Sequence, residues 1–309
     1  MVAIESQNSA EIESILVVCT LNRPKELEEC LLAAAHCVGR PAVAVVVSAD
    51  TTTRSKIVIE RVEKESGWEI THLKAQPGLA QQRNMGIDYA LSRAPHVKYI
   101  HFIDDDVLVH RHYFSTIEQG FKSHPTAILI GGRDALTSPL SGSWTGRIFG
   151  THSFKQGIIL RSTYNSAFSS LDGVHAVDWV HGSSQSFRVG LLKEERFDSD
   201  IRFYGEEVDM HIRCAALGEI LYSADATYFH NSSQVGRESL KISIFETDLA
   251  RWNLCRKYPE VFSKTRMLLA TVAHAAALLL RSVAGRSTSD REIAQGHITF
   301  LVRLLNGQK

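Results

Sequence analysis

No CxxC pair occurs in the 309 residues, and the five cysteines, Cys19, Cys30, Cys37, Cys214 and Cys255, are odd in number. That leaves no cysteine-built zinc site and no disulfide framework, so a reducing, cytoplasmic compartment is expected. Net charge is missing too: 34 Lys plus Arg balance 34 Asp plus Glu. Without a global basic field the chain is not expected to bind nucleic acid, and any anionic ligand must be met by local groups. No apolar run reaches the roughly 20 residues of a spanning helix. The longest, MLLATVAHAAALLL between Arg266 and Arg281, has 14. The first ten residues, MVAIESQNSA, lack a basic segment followed by an apolar core, so residues 1–13 read as a loose leader rather than a signal peptide. Neither an internal repeat nor a low-complexity tract is visible. What remains, 44% hydrophobic and 22% charged, is a globular composition long enough for one large α/β domain and an appendage.

The apolar pattern alternates between two periods. ILVVC (15–19), VAVVV (43–47), WEITHLKA (68–75) and VKYIHFI (97–103) read as strands. Between them, PKELEECLLAAAHCV, TTTRSKIVIERVEKESG and LAQQRNMGIDYALSRA read as helices, the first with Pro24 in the turn where its missing N–H does no harm. Strands alternating with helices imply a mostly parallel sheet covered on both faces, with ligands bound at the carboxyl ends of its strands. Beyond residue 110 the rhythm changes. AILIGGR (127–133), VDWV (177–180) and LYSADATYFH (221–230) read as strands, EEVDMHIRCAAL and 241–256 as helices, and the Ser-, Gly- and Thr-rich stretch 134–176 as loops framing a site.

Three consecutive carboxylates, Asp104, Asp105 and Asp106, end the fourth strand in YIHFIDDDV. Adjacent like charges repel, so the arrangement needs water or a cation. A solvated loop explains any one of them. An acidic phosphate-accepting pocket would need acids after the first strand, where this chain has Cys19, Thr20 and Leu21. A divalent cation shared with a substrate's phosphates explains the triplet, since magnesium or manganese is held by few carboxylates.

ILVVCTLNRPKELEECLLA, then Asp50, then PGLAQQRNMGIDYA, then YIHFIDDDV, resemble in order and spacing the family 2 inverting glycosyltransferases of the GT-A fold. VDWVHGSSQSFRVGLL, FDSDIRFYGEEVDMHIRCAALG, ATYFHNSS and ARWNLCRKYP look like the branch containing bacterial rhamnosyltransferases of surface polysaccharides. The likeness covers roughly residues 14 to 260. It implies a Rossmann-like GT-A domain over 14–260, with a nucleotide-binding half (14–110) and an acceptor-binding half (111–260), followed by a helical tail over 261–309.

By position, the resemblance places Asp104 and Asp106 in the DxD motif, with Asp106 as the metal ligand and Asp104 nearer the donor's ribose. Asp105 joins the same clamp. His230 at the end of ATYFH falls where relatives reach the metal or diphosphate. Asp50 falls on the base-contacting acid, although SADTTT replaces the usual two acids followed by Gly-Ser. Thr20 and Arg23 belong to the first βα loop, and Arg83 and Asn84 match the family's ARN. Asp178, Trp179 and Gly182 match a DW..G segment on the acceptor side.

GEEVD (205–209) aligns with GED.D, which makes Glu207 the general base in place of Asp and keeps Glu206 in contention. Asp209 reads instead as a helix-turn acid. The expected activity is transfer from a UDP- or dTDP-sugar to a saccharide or lipid-linked acceptor with Mn2+ or Mg2+. A non-catalytic nucleotide-sugar-binding scaffold of the same fold is the alternative. The tail's Leu and Arg residues fit either a peripheral membrane contact or packing on the domain.

Overall fold

The computed structural model describes residues 12–137, 144–168, 171–201, 204–233, 239–285 and 287–307. The described residues fold as two compact units: those within 1–138, 169–200 and 210–236 make the first, and those within 139–168, 201–209 and 237–309 the second.

In the first unit the expected alternation is realised as β1 (Ser14–Thr20), α1 (Pro24–Ala35), β2 (Val43–Ser48), α2 (Arg54–Ser66), β3 (Glu69–Lys74), α3 (Leu79–Arg93) and β4 (Tyr99–Asp104). Then follow β5 (Val107–Val109), α4 (Tyr113–Ser123) and β6 (Ala127–Asp134). After α5 (Trp144–Ile148), which belongs to the second unit, come β7 (Val174–Ala176), β8 (Ser184–Arg188) and α6 (Val189–Leu192). Then come α7 (Glu206–Cys214), whose residues 206–209 belong to the second unit, and β9 (Glu219–His230).

One nine-stranded sheet runs β3-β2-β1-β4-β8-β6-β9-β5, with β7 on β9. The four leading strands are parallel, and β6 is parallel to β9. β8 enters antiparallel between β4 and β6, so the sheet is mixed but mostly parallel. Alternate residues of β1 serve opposite faces. Leu16 and Val18 pack with the apolar residues of α1, α2 and α4, whereas Ile15 and Val17 pack with Ile87 and Ala90 of α3. Helices therefore cover both faces, as the β-branched runs require. α3 approaches closely because Gly86 has no Cβ: one built there would meet Val17 at 2.4 Å.

Two expected elements shift. VDWV is not a strand; β7 ends at Ala176, and Val177 N–H makes one more bond to Ile220 O before the chain turns away. Of the 134–176 stretch, the described part holds α5 and β7 as well as loops. At the other end, Ile12 is buried and Glu13 O accepts from Lys98 and Tyr99, so the chain is anchored before β1 begins.

The second unit is mainly helical: α8 (Leu240–Lys257), α9 (Lys264–Val283) and α10 (Thr288–Leu305). Each starts at a serine, Ser239, Ser263 or Ser287, whose hydroxyl accepts a backbone N–H three residues on. The 14-residue apolar run thus lies inside a 20-residue helix.

Candidate functional site

The sheet reverses its order at β1, whose neighbours are β2 and β4, and the carboxyl ends of these strands deliver Thr20, Asp50 and the Asp triplet. That crevice is where an open α/β sheet binds its ligand. Asn22 shapes the first βα loop from a left-handed backbone, φ 56°, which Asn tolerates better than most residues. Its N–H donates to Asp50 Oδ1 at 2.5 Å, and its side-chain oxygen accepts from the N–H and hydroxyl of Thr51 at 3.2 and 3.3 Å. The β1 and β2 loops are thereby locked together. Asp50 Oδ2 is buried with no hydrogen-bond partner among the described residues.

The three aspartates have separate jobs. Asp105 is 4% exposed, accepts from Thr20 Oγ1 at 2.7 Å and from Arg23 at 3.1 Å, and fastens β4 to the first loop. Burial pushes its carboxyl up to about 6, against the pull of Thr20 and Arg23. Asp106 is 3% exposed, with His230 Nε2 3.0 Å from Oδ1, while Ser233 N–H at 2.9 Å and Arg23 at 3.4 Å approach Oδ2. Burial alone would raise Asp106, but His230, Ser233 and Arg23 outweigh it and hold the carboxyl below its usual range. Burial opposes protonation of His230 as well, yet Asp106 raises it above an ordinary histidine. Asp104 is the more exposed member, 3.5 Å from Arg83, which also donates to Gly182 O at 2.9 Å.

Asp104, Asp106 and His230 offer ligand atoms within 4.8 Å of one another. Two carboxylate oxygens and one imidazole nitrogen suit Mn2+ or Mg2+, and an ion held there would take the place of the 3.0 Å contact between His230 Nε2 and Asp106 Oδ1.

The remaining residues named from sequence fall as follows. Asn84 uses both ends of its amide on the Phe197 backbone, at 2.8 and 3.0 Å, and so holds the chain after α6. Trp179 is 8% exposed and packs edge-on against His181, ring centroids 5.0 Å apart. Asp178, next to it in the chain, is exposed. Burial lowers His181 to about 4, so it is neutral at physiological pH. Asn22, Gln82 and Ser233 were not legible as site residues. Gln82 donates to Thr20 O and Val47 O at 3.1 and 2.8 Å, tying α3 to the ends of β1 and β2.

In the second unit, Tyr204 and Gly205 both have left-handed backbones, φ 55° and 100°, and this sharp turn launches the first turn of α7. Glu206 is buried there and Glu207 half-buried. Asp209 is fully buried, with Lys257 Nζ at 2.5 Å and Tyr258 hydroxyl at 2.7 Å. The reading of Asp209 as a structural acid rests on those bonds.

The sequence profile of glycosyl transferase family 2 matches residues 15–174, just over half of the chain. The chain belongs to glycosyl transferase family 2. No curated protein matches it significantly. Among solved structures, it is similar to the mannosyltransferase PcManGT from Pyrobaculum calidifontis in complex with GDP-Man and Mn2+. The two share 15% identity and a TM-score of 0.62, over 96% of this chain and 88% of that one. It is also similar to S. aureus TarS 1–349 in complex with UDP, at 12% identity and TM-score 0.52, over 96% of this chain and 92% of that one. The fold is that of the GT-A glycosyltransferases, a mostly parallel α/β sheet followed by a C-terminal helical region.

Proposed function

We propose that this family 2 protein is a metal-dependent, inverting hexosyltransferase that moves a sugar from a UDP- or dTDP-sugar to a saccharide or lipid-linked acceptor. Its place is surface polysaccharide synthesis at the cytoplasmic face, in the rhamnosyltransferase-like branch. The observation that carries the reading is the clustering of Asp104, Asp106 and His230 at strand ends, in a sheet whose β2 end also delivers Asp50, whose buried Oδ2 has no partner among the described residues. An imino N–H, which uracil, thymine and guanine all carry, satisfies that oxygen. The GDP-Man, UDP and Mn2+ held by the similar structures support the donor class and the metal.

Asp104, Asp106 and His230 would hold the metal, which would supply positive charge for the donor's diphosphate. Arg23 and Arg83 lie against the aspartates and add positive charge for the same phosphates. Thr20 and Asp105 fix the loop that cradles the nucleotide. On the acceptor side, Trp179 offers an aromatic edge, with Asp178 and Gly182 completing the segment. Glu207, with Glu206 as the alternative, takes the proton from the attacking hydroxyl as it approaches the anomeric carbon opposite the leaving group.

A panel of UDP-, dTDP- and GDP-sugars, titrated with manganese present and absent, tests the reading. One or more should bind with manganese and be lost with chelator. Binding by none, with or without metal, overturns the donor assignment. Binding without release of nucleotide diphosphate, given an acceptor panel, assigns the scaffold role instead.

A further inference from the structure

Leu269, Val272, Leu280 and Val283 of α9 are 56, 50, 74 and 87% exposed. With the exposed Ala276 and Leu279 they recur every three or four residues, making one apolar stripe along the helix. α10 repeats the pattern with exposed Ile298, Val302 and Leu305. A stripe of this extent marks an interaction surface. Its charge indicates the partner: α9 carries Lys264, Arg266 and Arg281 and no Asp or Glu. Arg281 reaches Asp290 at 3.3 Å, yet its side chain stays about half exposed.

By length and composition α9 is also able to cross a bilayer, with 20 residues, 18 of which in one stretch average a hydropathy of 1.4. Its other face decides against that. Met267, Ala270, Ala275 and Leu278 are packed inside the helical unit, and among them Thr271 and His274 meet a buried polar core. The His274 ring is 6.1 Å from Tyr164 and 5.1 Å from His297. His297 Nδ1 donates to the fully buried Asp248 at 2.6 Å, and Asp248 also accepts from Arg251 at 3.3 Å. Thr271 Oγ1, His274 Nδ1, His297 Nε2 and Arg251 Nε are buried without hydrogen-bond partners among the described residues. In hydrocarbon such groups, and an Asp–Arg pair, are costly, so α9 gains nothing by leaving its neighbours to span.

We propose that α9 and α10 seat the helical unit flat on an anionic bilayer surface. The apolar stripe enters the boundary of headgroups and acyl chains, and Lys264, Arg266 and Arg281 meet the headgroup phosphates. This deepens the proposed function, resting on it only for the idea that the acceptor is lipid-linked, since a peripheral enzyme meets such an acceptor in the plane of the membrane.

The test is flotation of the full chain on vesicles of phosphatidylcholine with and without phosphatidylglycerol, beside a Leu280→Asp, Val283→Asp variant. UDP affinity with manganese is measured on the same samples. The full chain should float with the anionic vesicles and come off in carbonate. The variant, altered only at exposed positions, should lose about tenfold in bound fraction while keeping its nucleotide affinity and thermal midpoint. Three results overturn the inference: a full chain that stays soluble with anionic vesicles, a variant that floats undiminished, or retention in carbonate, which means spanning. A dimer that the variant dissolves, without flotation, makes the stripe a contact between copies instead. Loss of nucleotide binding in the unaltered chain counts against the donor reading alone and leaves the flotation result standing.

Discussion

Asp106 and Asp209 are both buried aspartates with a basic partner, one in each compact unit, and they have opposite surroundings. Around Asp106 stand Asp104, a second carboxylate; His230, itself a metal ligand by chemistry; and Arg23 with the Ser233 N–H, which are donors for anions. Around Asp209 stand Lys257 and Tyr258, which neutralise it and fix the α7 turn to the end of α8. Burial of an acid therefore does not mark a site. What marks one is whether its neighbours can share a cation and a phosphate with it or merely cancel its charge.

The largest expected effect lies two residues from Asp209. If Glu207 is the base, Glu207→Gln keeps shape and most hydrogen bonding but takes no proton. Transfer should then fall by about 10² to 10⁴ while nucleotide affinity holds. Glu206→Gln, measured in the same assay, should stay near normal turnover. A reversed pair moves the role to Glu206, and two active variants leave the whole turn structural, like Asp209.

Next comes the metal cluster. Asp106→Ala should weaken manganese-dependent UDP binding by at least about 100-fold, because loss of even an outer partner costs 10- to 100-fold. The thermal midpoint should change little, since Arg23 keeps Asp105 as its partner and one of three neighbouring carboxylates is removed. Calorimetric titration with and without manganese decides; unchanged metal-dependent affinity removes Asp106 from the clamp.

The contrast also shows what can be read from sequence. The first half was legible because β1 to β4 are apolar, β-branched runs and the intervening helices keep a 3.6 period, so strand ends, and with them Asp50 and Asp104–Asp106, could be placed. β8 was not. Its residues Ser184, Gln185 and Ser186 are polar yet buried, because Ser184 bonds Tyr113, Gln185 meets His211 and Ser186 bonds His101 across the core. No periodicity announces a strand whose buried side chains are hydrogen-bonded polar groups. β5 has only three residues, too short for a pattern. Asn22 and Ser233 act through loop geometry, a left-handed φ in one case and a backbone N–H in the other, which composition does not encode.

A smaller effect tests the structural half of the comparison. Asp209→Ala removes a buried acceptor from Lys257 and Tyr258 and should cost about 2 kcal/mol. The figure is discounted because Lys257 is 40% exposed and can turn into water. Denaturant unfolding of Asp209→Ala beside Asp106→Ala should rank them opposite to their effects on UDP binding. If Asp209→Ala unfolds like the unaltered chain but loses turnover, Asp209 belongs with the reactive acids after all.

The smallest effect is a pH slope in the first unit. His211 is fully buried against Gln185, its Nε2 3.3 Å from Oε1, and burial first, with Arg83 second, lowers its pKa to about 3. An unfolded histidine titrates near 6.5, so between about pH 6.5 and 3 the unfolded chain binds one more proton at this position than the folded one. Stability from neutral His211 is thus complete above pH 6.5 and drains away as pH falls through that window, by about 1.4 kcal/mol per pH unit. His211→Gln, which carries no titrating group, should flatten the stability curve between pH 6 and 4.5 by that slope, even if it starts lower at pH 7. Parallel curves for the two proteins would mean that His211 protonates within the folded chain, and the buried polar seam of β8 would then be open to water.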